Sequence, residues 1–191
     1  MQTKLATAVA ELFSTEMTRR LPTFVLRKGE KVGGTPLPLF EFRTASSMAF
    51  FVLLTFAQKR DAFTVEVAFN ESPQFPWTEL PGTVKEVSSA ASRRVARFRL
   101  AKLWGETRDV WWALGKELSV TEIEEQIKTK SYLRAEDLPS KLEAVPIAVA
   151  DAIEKLVTYG VPFFELVKQH KINPPTEVGR KPDPTSGAAD D

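Results

Sequence analysis

The first apolar positions of the chain, Leu5, Ala8 or Val9, Leu12 and Phe13, recur at three-to-four spacing, with Thr3, Thr7, Glu11 and Ser14 between them. That period predicts an amphipathic helix over about Thr3–Arg20, stopped before Pro22 because the residue ahead of a proline is pushed out of the helical region. The period then shortens. Phe24–Leu26 predicts a short strand, and Lys28–Gly34 reads as a polar turn leading into a loop broken by Pro36 and Pro38. Leu39–Arg43 alternates, with Phe40 and Phe42 on one face and Glu41 and Arg43 on the other. Met48–Phe56 is almost continuously apolar, as a central strand covered on both faces requires. Beyond the polar turn Gln58–Asp61, Phe63, Val65, Val67 and Phe69 alternate with Thr64, Glu66 and Ala68, so the two runs predict an antiparallel hairpin. Nine of the 13 Phe lie between Phe24 and Phe75, which places the densest core there.

Pro73, Pro76 and Pro81 around Phe75 and Trp77 predict an ordered loop over Glu71–Gly82, pinned by its aromatics and long enough to be a candidate for function. Thr83–Trp104 fits both periods. We divide it into a short helix or loop to about Arg93 and a strand near Ala96–Leu103, with Asp109–Leu114 a last strand or a helical turn. From Ser119 the pattern is helical, with Thr121 and Glu124 as a capping box and Val120, Ile123 and Ile127 as the apolar stripe. A second helix, beginning near Ser140 or at Pro146, carries Leu142, Val145, Val149, Ile153 and Leu156 and is expected to stop at Gly160 and Pro162. A final short helix, Phe163–His170, lays Phe163, Leu166 and Val167 on the body. The sum is an α+β fold: an antiparallel sheet of about four to six strands with an N-terminal helix, and C-terminal helices packed on one face. Residues 1–171 read as one domain and 172–191 as a Pro-rich tail with little to bury, expected to be disordered.

Composition narrows the chemistry. The 191 residues carry 26 Lys+Arg against 25 Asp+Glu, a formal charge of +1, so no global field demands nucleic acid or an anionic membrane as partner. Zero Cys excludes disulfides, thiolate nucleophiles and thiolate metal sites, and leaves the redox compartment open. His170, the only imidazole, stands at the edge of the tail, a poor place for a general base. No HExxH, EF-hand, GxGxxG or P-loop spacing occurs, so no metal or cofactor is expected. The longest nearly uncharged apolar run, Ala45–Ala57, is shorter than the roughly 20 residues a bilayer span needs, and Glu11 and Glu16 spoil a signal-peptide reading of the N-terminus. A cytoplasmic location is expected.

Two constellations remain. The basic run Arg93, Arg94, Arg97, Arg99, Lys102 and Arg108 is the most asymmetric charge feature. On a strand, Arg97 and Arg99 share an outer face while Phe98 and Leu100 point inward. Such a stripe suits phosphate or an acidic partner surface, with Trp77 as an adjoining contact, and the plainer alternative is a solvated face paired with nearby Glu. Glu41 and Glu66 on neighbouring strands are the one candidate carboxylate pair for glycosidic hydrolysis, against the plainer reading of exposed strand charges neutralised by Arg43.

Arg99-Leu100-x-x-Leu103-Trp104, Asp109-x-Trp111-Trp112-x-Leu114, Val149-x-Asp151-Ala152-Ile153 and Tyr159-Gly160-Val161-Pro162-Phe163-Phe164 together resemble a domain-of-unknown-function family of small bacterial α+β proteins. The resemblance spans roughly Thr3–Lys168 and carries over no catalytic residues. Some proteins of this kind are encoded near bacterial toxins and look like immunity proteins, which implies a protein-binding role by association. The long basic run and the Pro-rich tail depart from it. The expected function is therefore a non-enzymatic, immunity- or accessory-like protein-binding factor. The alternatives are a carboxylate-dependent hydrolase, or phosphate or nucleic-acid binding through 93–108.

Overall fold

The computed structural model describes residues 3–27, 31–32, 35–44, 48–57, 61–114 and 138–172. In chain order these form α1 (Thr3–Arg20), β1 (Val25–Arg27), β2 (Lys31–Val32), β3 (Thr35–Pro36), β4 (Leu39–Arg43), β5 (Ala49–Phe56), β6 (Ala62–Asn70), α2 (Val84–Val87), β7 (Val95–Arg99), β8 (Trp112–Ala113), α3 (Leu138–Lys155) and α4 (Val161–Ile172). The main sheet is antiparallel, ordered β1-β4-β5-β6-β7, with β8 pairing the far end of β6 beside β7. β2 and β3 make a separate two-residue ribbon. The expected α+β architecture, with an N-terminal helix, an antiparallel sheet and C-terminal helices, is the one observed.

Register divides the sheet into two faces of different composition. Phe50 pairs Phe69 and Phe42, Val52 pairs Val67 and Phe40, and Val67 in turn faces Phe98 across β7. These side chains form the first face. α1 meets it with Leu5, Val9, Phe13 and Met17, all fully buried at four-residue spacing. α3 and α4 add Val145, Val149, Ile153, Phe163, Phe164 and Val167. Phe164 packs on Phe24 and Phe50 at ring distances of 5.6 and 5.2 Å, and Phe163 lies edge-on to Phe98 at 5.7 Å.

Several elements depart from the expectations. β7 ends at Arg99, and Leu100–Trp104 is a 3₁₀ turn closed by Gly105 in the left-handed region at φ 86°, rather than more strand. α3 runs unbroken from Leu138 through Pro146, whose side chain faces solvent while Val145, Ala148 and Val149 are buried. Gly160 and Pro162 do not end the helix: a π-helical turn, Leu156–Gly160, passes directly into α4, which includes Ile172. Gly160 serves close packing instead, since a Cβ there would meet Leu156 Cδ1 at 2.6 Å and Leu100 Cδ1 at 3.4 Å. Leu142 and Leu166, expected on buried faces, are exposed, and Phe164 takes the buried place on α4. The helix expected from Ser119 and the tail beyond Ile172 lie outside the described residues. Among the described residues no helix is long and apolar enough to cross a membrane.

Candidate functional site: the charged face of the sheet

The second face of the sheet is built from the alternate residues of the same strands. One line of cross-strand neighbours reads Val25, Glu41, Phe51, Ala68, Arg97, and the next reads Arg27, Leu39, Leu53, Glu66, Arg99. Leu39, Ala49, Phe51, Leu53 and Ala68 form a small apolar strip in its middle, completed by Phe75. Arginines and carboxylates flank the strip on both sides.

On the β1 side, Glu41 is buried and takes Arg43 as a hydrogen-bond donor, with Arg27 Nε 3.5 Å away. The carboxylate beside Arg43 raises the guanidinium above its ordinary value. On the β7 side, Glu66 is only 2% exposed. Arg97 Nε donates to it at 2.6 Å, and Arg99 Nη1 stands 3.8 Å away. Asp109 then bridges the next pair of cations, with Arg99 Nε at 3.1 Å and Lys102 Nζ at 3.4 Å. The Arg99 guanidinium lies 4.9 Å from the centre of the Trp111 ring, and Arg97 lies 5.3 Å from that of Phe75.

This corrects two expectations at once. Glu41 and Glu66 are not exposed strand charges, and Arg97 and Arg99 are not on a solvated stripe, since all four side chains are largely buried. The carboxylates do share a sheet face but not a pocket. β5 runs between them, and ideal sheet spacing puts their Cα atoms roughly 12 Å apart with Phe51 and Leu53 intervening. The open groove of about 480 Å³ beside Glu41 is lined by Thr23, Val25, Arg27, Phe42 and Arg43, and Glu66 is not part of it. Of the other cations in the basic run, Arg93 pairs with Glu86 at 2.9 Å and exposed Arg94 with Glu71 at 2.6 Å. The carboxylate beside Arg94 raises its guanidinium.

The loop Glu71–Gly82 lies across this face as an ordered strap. Its first turn is held by Asn70, whose Nδ2 donates to the Gln74 carbonyl and whose Oδ1 accepts from the Ser72 N–H. Arg27 donates to the Pro73 carbonyl, and Phe75 plugs onto Phe51 edge-to-face at 5.5 Å. Arg97 Nη1 donates to the carbonyls of Glu79 at 3.1 Å and Trp77 at 3.5 Å. The strap closes where Gly82 N–H donates to the Arg97 carbonyl beside β7. Gly82 has no alternative here, because a Cβ would lie 2.5 Å from the Phe98 ring. The arrangement repeats on both sides: a buried carboxylate stands against a guanidinium, Arg97 largely buried and Arg27 half-exposed, and the guanidinium fixes the backbone of a loop. The large apolar side chains the loop then shows to solvent are Trp77, 39% exposed and tilted against Phe75 at 4.5 Å, and Leu80, 87% exposed. The anchoring expected of the loop aromatics is the role of Phe75, while Trp77 only half shares it.

Sequence reasoning missed Asp109, Trp111 and Phe75 as members of this cluster. A signal was present. Glu66 alternates with Thr64 and Ala68 opposite an Arg97-x-Arg99 alternation, and two such patterns on adjacent strands place opposite charges on one face. A second, part-buried polar cluster lies at the β5–β6 end, where Lys141 holds Asp61 at 3.0 Å and Trp112 Nε1 donates to Asp151 at 2.8 Å. The chain matches no protein-family model, no curated protein and no solved structure.

Proposed function

We propose that the chain is a protein-binding factor and that the strap Glu71–Gly82 is its contact surface. The observation that carries this is the exposure of Leu80 and Trp77 on a loop whose backbone is tied at Pro73, Gln74, Trp77 and Glu79 to side chains of the sheet. An apolar pair held in one conformation loses little entropy on docking, and aromatic anchors of this kind dominate interface energies. The five candidate cations Arg93, Arg94, Arg97, Arg99 and Lys102 each have a carboxylate partner within the chain, which supports a structural use of the run over phosphate reading along a nucleic acid. The resemblance to small bacterial proteins encoded near toxins extends the proposal to an immunity- or accessory-type role.

The test is affinity purification of the tagged protein with and without nuclease, beside the W77A/L80D variant. A stoichiometric, nuclease-resistant partner that W77A/L80D fails to retain is the expected result. A partner retained by the variant removes the strap from the interface, and one released by nuclease moves the function to nucleic acid.

A further inference from the structure

Asp109 differs from the groups it pairs with. The side chains of Arg99 and Lys102 are 18% and 10% exposed, whereas that of Asp109 is 48% exposed. The cations are fixed independently of it: Arg99 lies over Trp111 and beside Glu66, and Lys102 Nζ donates to the Thr107 carbonyl at 2.8 Å. Asp109 sits in the irregular segment between the 3₁₀ turn and β8, which Gly105 opens. Charge is also out of balance. Among the described residues, Arg97, Arg99 and Lys102 face only Glu66 and Asp109, three cations against two carboxylates. Among the described residues, the buried donor Arg99 Nη1 has no hydrogen-bond acceptor, its nearest carboxylate being Glu66 at 3.8 Å. The excess of positive charge favours an oxyanion at the place Asp109 takes, whichever molecule supplies it.

We propose that Arg99 and Lys102 form an oxyanion site whose present occupant is the chain's own Asp109, and that an external oxyanion, a carboxylate or a phosphate, binds there by displacing it. The cations keep their positions during the exchange, and only the half-exposed carboxylate moves. The site is therefore preformed but self-occupied: the apparent affinity for an external anion is reduced by the fraction of molecules in which Asp109 is already displaced. This inference does not depend on the strap being an interface, since its ligand is tested directly.

The experiment titrates the full chain at low salt with inorganic phosphate, and separately with a short oligoglutamate peptide, reading the Trp111 indole N–H resonance, assigned by its absence in W111F. D109N is expected to bind about tenfold more tightly than the native chain, as for a site vacated in about one molecule in ten. Adding R99Q or K102Q to D109N is expected to abolish the gain, and the use of two variants covers the case in which one of them fails to fold. Binding of the peptide over phosphate assigns the site to an acidic segment of a protein, and the reverse assigns it to a phosphate group. No gain in D109N, or a gain that survives in both double variants, overturns the proposal.

Discussion

On the first face of the sheet, Phe50, Val67, Phe69 and Phe98 meet three helices through apolar contact alone; on the second, Glu41 and Glu66 hold arginines around a narrow apolar strip and a loop. The same strands supply both, residue by residue in alternation. The difference lies in how far each face specifies position. Apolar burial is non-directional and roughly proportional to area, so it holds helices against a sheet while tolerating small shifts. Charge-assisted hydrogen bonds are directional, and Arg97 accordingly places two particular carbonyls of the strap. One face supplies most of the stability, and the other spends burial of charge on fixing a loop.

The sharpest way to break this comparison is to truncate each face at its centre. F50A empties a fully buried position against Phe42, Phe69 and Phe164, and is expected to cost about 3–5 kcal/mol in chemical denaturation. E66Q takes from Arg97 its carboxylate partner, Arg99 keeping Asp109, and is expected to cost about 3 kcal/mol, while the double variant E66L/R97M recovers most of that loss. The pair of results carries the lesson: in E66L/R97M stability returns but the strap loses its Arg97 bonds, so the Trp77 indole resonance stays displaced. A native-like Trp77 in that variant would show that Phe75 packing alone positions the loop.

Smaller effects sharpen the picture. G82A drives a methyl group into the fully buried Phe98 ring where the strap rejoins β7, and about 1–3 kcal/mol of destabilisation is expected. The smallest effect belongs to the helix just after the strap. There the Thr83 backbone N–H, then Arg93 and the Thr83 hydroxyl, hold the Glu86 carboxyl down to about 2 from its ordinary 4.5. The folded carboxyl thus binds its proton more weakly than the unfolded one. Its contribution to stability is complete above the unfolded value and is lost as pH falls toward about 2. An NMR titration of Glu86 with a midpoint near 4.5 would show the cap to be absent in solution.

Much of this was legible along the chain. α1, β4 and the β5–β6 hairpin follow from period alone, because which side chains share a face is a local property of 3.6 or two residues per repeat. The buried use of Glu66 was not legible to the same degree. Its partner Arg97 lies 31 positions away, and only the β6–β7 register, set when the strap closes at Gly82, brings them to 2.6 Å. Local boundary signals, a start at Pro146 and a stop at Gly160, misled for the converse reason. Pro146 and Gly160 disfavour helix by roughly 3 and 1 kcal/mol, yet the buried contacts of Val145, Ala148, Val149, Ala152 and Leu156 outweigh them.

Sequence by itself thus determined the class of elements and the existence of an apolar and a charged face, since both are encoded within a few consecutive residues. Tertiary structure decided which carboxylate meets which guanidinium, which aromatic anchors the strap and which faces solvent, and that Asp109 occupies the cationic pair. Those outcomes depend on contacts between different elements and loops, and no period within one element records them.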